Sequence, residues 1–397
     1  MESPGKWAPL KRPGRMACAD TPPGLMVLGV HLKSEGYPNT LYRLQDLEAS
    51  GRFQTLEINV PMWSESTQHR HGFARLSRSL GRAVFAHLAV MARYLAAKRP
   101  ERIYVPYPSV FVLFLLSCLP ARLRPKRVVA DVFISLYDTI VLDRRLVRQN
   151  GMFARSLKWI ERRAYVFADK LVVDTEQNAR FICALFGLPE EKAAVSPLSI
   201  DERHFKCAPY RPQPGVCSVL FVGTLVPLHG IGTILEAARQ LSVRPEIRFK
   251  LIGDGQDAPL VEAWLGSRAA QLAWERAWQP SSRIAEAIAQ ADICLGIFGA
   301  GDKTQRVCPF KVYAYAATGR AIITGTSDWL REATARLAYD PFAHVPVDAA
   351  GALAAKIAQL ADDPALRSKL AANSREFYQT HLGNRRGLEI LASCLLG

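Results

Sequence analysis

The chain has 397 residues, 49% of them apolar and 22% charged, which is enough for two ordinary domains with separate cores and excludes a disordered or fibrous protein. Lys plus Arg number 51 against 36 Asp plus Glu, a formal charge of +15. The excess is uneven: residues 1–200 hold 29 basic and 17 acidic groups, and residues 201–397 hold 22 and 19, so the first half carries most of the attraction for anions.

In chain order, residues 1–24 read as a flexible basic tail: Lys6, Lys11, Arg12 and Arg15 lie among prolines and glycines with no signal-type apolar run. Short β-rich runs then alternate with longer helical patterns, the sequence form of a parallel sheet covered by helices. Strands are predicted at 25–30, 55–60, 102–105, 128–133 and 171–174, with helices at 41–49, 73–98, 110–119 and 153–167. After a proline-rich stretch, 206–215, the alternation restarts with strands at 219–222, 249–252, 293–297 and 321–324. The restart predicts an α/β protein of two doubly wound, Rossmann-like domains facing across a cleft, one over 25–208 and one over 209–364. Residues 365–397 form a helical segment long enough to return to the first domain.

The eight cysteines are scattered without a C-x-x-C pair, which fits a reducing cytoplasm. The strongest apolar run, Val110 to Leu119, is about half of what a membrane-spanning helix needs. His69 and His71 lack a nearby acidic or cysteine cluster, so no metal site and no cofactor are expected.

Three segments of the second half point to phosphate chemistry. Strand 219–222 runs into a turn with Gly223, Thr224, His229 and Gly230 before a helical pattern from Ile231. Glycines there let backbone approach a ligand, and a helix start offers free N–H groups to an anion, although a routine strand-to-helix turn looks the same. The strand ending at Ile252 is followed by Gly253, Asp254 and Gly255. The third segment follows 293–297 with a Gly299-Ala-Gly301 loop and then Lys303, Arg306 and Lys311 around Pro309, three cations suited to a diphosphate.

The ordered set G-T-x-x-P-x-H-G-I (223–231), G-D-G-Q (253–256), L-G-I-F-G (295–299), D-K-x-x-R-V (302–307), P-x-K-V-Y (309–313) and a closing Gly319-Arg320 resembles the donor half of bacterial GT-B glycosyltransferases of family 4, the group 1 family. Glu35-Gly-Tyr-Pro-Asn-Thr40 and Asp131-Val-Phe-Ile-Ser-Leu-Tyr-Asp-Thr139 with Asp143-Arg144 extend the resemblance over most of the chain past residue 24. It implies retaining transfer of a sugar from a nucleotide diphosphate sugar, held by the second domain, to an acceptor held by the first, without metal. Lys311 matches the basic residue of the family's P-x-K motif, and Gly223, Gly230, Gly253 and Gly255 match the glycines of its turns. Where many members carry Arg and Lys in the first turn, this chain has Thr224 and His229; the later of two family glutamates, a ribose ligand, falls on Ala314, and the earlier near Arg306. The expectation is that Lys303, Arg306 and Lys311 replace the turn cations, with His229 and Thr224 donating hydrogen bonds to phosphate or sugar. Lys311, Arg306 and Asp138 are the catalytic candidates.

In the first half, Gly36, Asp131 and Asp138 are the acceptor-side candidates: a loop glycine and two carboxylates presented toward sugar hydroxyls, although Asp also caps turns. Arg75, Arg78 and Arg82 recur at helical spacing against Phe73, Leu76, Leu80 and Val84. With Arg122, Arg124, Lys126 and Arg127 beside the 110–119 run, they predict a peripheral contact with an anionic membrane on its cytoplasmic face, where a glycan or lipid-linked acceptor of surface polysaccharide or lipopolysaccharide synthesis would lie; a solvated charged face is the plainer alternative. A nucleotide-sugar epimerase of the same fold and a degenerate, non-catalytic partner remain open as alternatives. Nucleic acid is not an expected partner, because no binding module accompanies the charge.

Overall fold

Two parallel six-stranded sheets, each flanked by helices, build the molecule. The computed structural model describes residues 22–62, 73–98, 100–207, 213, 215–266, 272–277 and 279–397, and for 73–79 the backbone path alone. The expected tail up to residue 21, His69, His71 and the side chains of Phe73, Arg75, Leu76 and Arg78 lie outside the described residues.

The first sheet contains β1 (Gly24–Gly29), β2 (Gln54–Asn59), β3 (Arg102–Val105), β4 (Arg127–Asp131), β5 (Lys170–Val173) and β6 (Ala193–Val195), in the order β2-β1-β3-β4-β5-β6. The second contains β7 (Cys217–Val222), β8 (Ile247–Ile252), β9 (Leu272–Glu275), β10 (Ile293–Leu295), β11 (Ala321–Gly325) and β12 (Ala343–Val345), in the order β12-β11-β10-β7-β8-β9. The inner strands are continuous apolar runs because helices cover both of their faces; Leu25, Met26, Ile103, Val129, Phe221 and Ile293 are fully enclosed. Each order reverses once, between β1 and β3 and between β7 and β10, and ligands of open parallel sheets bind at the carboxyl ends of strands beside such reversals.

Each sheet has its own core, one around Met26, Val90, Leu113 and Val128, the other around Val219, Ile234, Leu251 and Leu353. A third cluster links them: Leu198, Ile200 and Phe205 pack with Val312, Tyr313 and Phe377, and Phe133 leans on it. The C-terminal helical segment is three pieces, a helix Pro364–Phe377, a widened turn Tyr378–Leu382 and a helix Asn384–Leu396. The last piece lies on the first sheet. Its Leu391 and Leu395 join Leu25, Val27 and Tyr104, while the guanidinium groups of Arg102 and Arg127 donate to the carbonyls of Leu395 (3.1 Å) and Cys394 (2.9 Å).

Not among the predicted elements are β6, β9 and β12, each at a sheet edge and only three or four residues long, the helices Ser281–Gln290, Asp328–Thr334 and Ala350–Asp362, and the helix Glu176–Phe186. That helix carries readable signals: the Thr175 hydroxyl accepts from the N–H of Asn178 as its cap, and Gly187 ends it in a left-handed conformation.

Candidate functional site

At the reversal of the second sheet, the loops leaving β7, β8 and β10 are tied together by their backbones. Gly223 N–H donates to Ile252 O (3.0 Å), Leu225 N–H to Asp254 O (3.0 Å), and Phe298 N–H to His229 O (3.2 Å). The glycines serve this stitching. Gly253 sits at φ 139°, and a Cβ there would overlap the carbonyl oxygen of Gly223; Gly230, at φ 65°, would place a Cβ 2.6 Å from the backbone of Phe298. Backbone-to-backbone approach thus accounts for glycines expected to face a ligand. Gly255 lies in the same crossing, against Leu225, and Asp254 is turned away to Arg276 (3.2 Å).

Lys311 enters this corner from the first turn of the helix Phe310–Thr318. Its chain is buried beside Gly223, its Nζ lies 3.9 Å from the centre of the Phe221 ring, and among the described residues that Nζ has no hydrogen-bond partner. Burial without a counter-charge pushes its pKa well below the usual lysine range. An enclosed ammonium lacking an acceptor is costly unless a ligand supplies one.

His229 has one nitrogen engaged within the turn: its Nδ1–H donates to the carbonyl of Thr224, and burial, then the Lys311 charge, hold the ring well below the usual imidazole range. The remaining Nε2 is an acceptor, suited to a hydroxyl rather than to phosphate. Ala314 is buried in the linking cluster and offers no carboxylate to a ribose.

The three cations grouped by sequence are divided. Lys311 faces the glycine corner, whereas Arg306 and Lys303 reach across to the first domain. Arg306 donates to Asp138 (3.0 Å) and Asn178 (3.1 Å), lies 3.5 Å over the Phe181 ring, and its carbonyl accepts from the Thr175 hydroxyl. Lys303 donates to Thr139 (3.2 Å) and lies 3.5 Å from Asp143 and 3.7 Å from Asp138. Asn178 and Phe181 belong to the helix missed in sequence. A second crossing joins Glu35, which accepts from the Ser281 N–H (2.5 Å), and Tyr42, 3.3 Å from the Ser281 hydroxyl.

Asp138 is held from behind. Glu161, fully buried, accepts the N–H groups of Leu136 (2.9 Å) and Tyr137 (2.8 Å), and the Ser135 hydroxyl accepts from Asp138 N–H (3.1 Å). Asp131 is not available to an acceptor. It is fully enclosed, with one oxygen paired to Arg43 and the other accepting from Tyr104 (2.6 Å), so it joins the first helix to the sheet. Gly36 lies in the turn closed by Tyr37 N–H on Ser34 O (2.9 Å). An open depression of about 600 Å³ is lined by Gln177, Arg180, Arg306, Asp328, Arg331 and Glu332, but Arg180 pairs with Glu332 and Arg331 with Asp328, so its charges are largely spent on one another. Among the described residues no cluster of three or more His, Cys, Asp or Glu could hold a metal ion, and no helix is long and apolar enough to cross a membrane.

Residues 23–199 match the family model of a glycosyl transferase 4-like domain, and residues 232–392 that of a glycosyl transferase-like family. No curated protein matches the chain. Among solved structures, sucrose-phosphate synthase from Thermosynechococcus elongatus is similar at 15% identity, covering 93% of this chain and 98% of that one, with a TM-score of 0.69. HepE of Anabaena, solved in complex with UDP, is similar at 13% identity over 94% of this chain and 99% of that one, TM-score 0.63. WaaG, a glycosyltransferase involved in lipopolysaccharide biosynthesis, is similar at 15% identity over 94% and 99%, TM-score 0.62.

Proposed function

We propose that this chain, which belongs to the group 1 (family 4) glycosyltransferases of GT-B architecture, moves a hexose from a nucleotide diphosphate sugar to a glycan or lipid-linked acceptor of a bacterial surface polysaccharide or lipopolysaccharide. The observation that carries the donor site is the enclosed, unpartnered Lys311 amine beside the glycine corner at the second sheet's reversal. A diphosphate there accepts from Lys311, restores its charge, and meets the start of the helix Ile231–Gln240. His229 Nε2 accepts from a hydroxyl of the donor, and Thr224 lies beside it in the turn.

In the reaction the acceptor oxygen bonds the anomeric carbon, the bond from that carbon to the diphosphate oxygen breaks, and configuration is retained, with the acceptor proton passing to the departing diphosphate. Cationic side chains and backbone N–H groups stabilise the leaving group without metal. Asp138, in a turn whose backbone Glu161 holds from behind and with Arg306 and Lys303 in front, contacts the acceptor, and closure of the domains along this seam excludes water. The enzyme works on the cytoplasmic side of the membrane, as a peripheral protein.

A panel of UDP, GDP, ADP, TDP and CMP tests the donor reading by thermal shift, since a ligand that prefers the folded state raises its melting temperature. UDP is the first choice because HepE is solved with it. One nucleotide should stabilise the protein. Lys311→Met should lower that nucleotide's affinity at least ten-fold, the weight of a charge-assisted bond, while raising the melting temperature of the empty protein by removing a buried amine. No nucleotide shift, or an unchanged one in Lys311→Met, refutes the site. A non-catalytic partner on the same fold is the second reading, favoured by Ala314; nucleotide binding with no sugar release in the presence of any acceptor supports it.

A further inference from the structure

The reversal of the first sheet, between β1 and β3, holds an aromatic cluster that the donor site does not use. Tyr37 follows β1 at the end of the 31–37 loop, Tyr107 follows β3, and Phe133 follows β4, so three neighbouring strands each deliver one ring at their carboxyl ends. The Tyr37 and Tyr107 centroids are 6.3 Å apart, and those of Tyr107 and Phe133 5.2 Å, with the rings tilted by 36° and 53°. All three are half-buried, unlike the enclosed core rings Tyr104 and Tyr165. Phe133 leans on the cluster linking the two domains, and its carbonyl accepts from Asn178 (3.2 Å), the residue that also holds Arg306. The rings therefore border the seam on which Asp138 sits. Beside Tyr37, the hydroxyls of Ser34 and Thr40 are buried and without a hydrogen-bond partner among the described residues.

We infer that Tyr37, Tyr107 and Phe133 form a platform for the acceptor's sugar ring, with Ser34 and Thr40 available to its hydroxyls. The inference rests on the glycosyl-transfer reading and deepens it. A pyranose has a face of C–H bonds that matches the electron-rich face of an aromatic ring, and an edge of hydroxyls that needs polar partners. A site of tilted rings with a few unsatisfied hydroxyls offers both. It offers little to a bare lipid phosphate, which would seek cations in place of rings. The acceptor class is thus a glycan terminus, and the rings set its orientation toward Asp138.

The test uses the full chain with saturating UDP, or whichever nucleotide of the panel binds, and saturation-transfer NMR with three probes: the methyl α-glycosides of glucose, galactose and mannose. At least one should receive saturation, concentrated on the ring C–H bonds of one face. Tyr107→Leu should reduce it at least five-fold and Tyr107→Phe less than two-fold, both keeping the nucleotide thermal shift. If Tyr107→Leu does not fold, Tyr37→Leu in the half-buried loop gives the same reading. Full transfer in the leucine variant overturns the platform, as does the absence of transfer from all three probes to a protein that still binds nucleotide. A wild-type protein that binds no nucleotide instead removes the donor reading, and the platform falls with it.

Discussion

Asp174 shows how burial tunes one group beside the seam. It directly follows β5, is enclosed, and accepts from the Asn178 amide (2.7 Å). Burial raises its pKa from 3.8 to about 6. Because the folded state holds this proton more tightly than the unfolded chain, the associated stability is complete below about pH 4 and is lost as pH rises through about 6. At pH 7.5 the ionised carboxylate costs about 3 kcal/mol, the equivalent of that displacement. Asp174→Asn should therefore raise the melting temperature at pH 7.5, less at pH 5, and not at pH 4. An equal change at all three values contradicts it. Lys311 follows the same rule with opposite charge: burial favours the neutral amine, and a bound anion reverses that preference.

Among elements, the helices on one side of the first sheet leave apolar surface uncovered. Leu80, Val84, Phe85 and Leu88 of the helix Phe73–Ala96 are exposed, as are Met152, Phe153 and Trp159 of the helix Met152–Phe167. The helix Val110–Cys118 lies between them, with Phe111 edge-on to His87 and Phe114 edge-on to Trp159. Arg82, Arg155 and Arg162 of the same two helices are exposed as well. The cations named from sequence contribute less than expected. Arg124 closes the C-terminus of the middle helix, Lys126 pairs with Glu101, and Arg127 binds the last helix. A continuous apolar face with basic residues fits an anionic bilayer better than open water. Vesicles of phosphatidylglycerol and phosphatidylethanolamine should bind the protein at low salt and release much of it at 0.5 M salt, and Phe85→Asp should weaken binding about ten-fold. No binding at low salt contradicts this reading.

For the whole molecule, a small polar seam adds to the apolar cluster that links the domains. Arg306 and Lys303 meet Asp138, Asp143, Thr139 and Asn178, while Glu35 and Tyr42 meet Ser281 some distance along the chain. The returning C-terminal helix keeps the domains joined whatever the seam does. Arg306→Ala removes two hydrogen bonds and a ring contact from the seam, so solution X-ray scattering should show a larger radius of gyration than for wild type, reduced again by nucleotide. An unchanged radius in a folded variant would mean that the seam does not hold the domains.

Much of this was legible in the chain itself. Strand and helix periodicity and the restart near residue 215 determined the two-sheet architecture, because buried parallel strands need continuous apolar runs, and the ordered motifs of residues 223–320 carried the family resemblance. Tertiary structure decided what each polar residue does. Lys303, Arg306 and Lys311 look equivalent within nine residues of sequence, yet one faces the glycine corner and two face carboxylates of the other domain. Asp131 and Asp138, seven residues apart, divide in the same way into an enclosed partner of Arg43 and a group on the seam. Partners distant in sequence, 88 residues away for Arg43 and Asp131 and 168 for Arg306 and Asp138, set burial and charge pairing, and no local pattern carries that information.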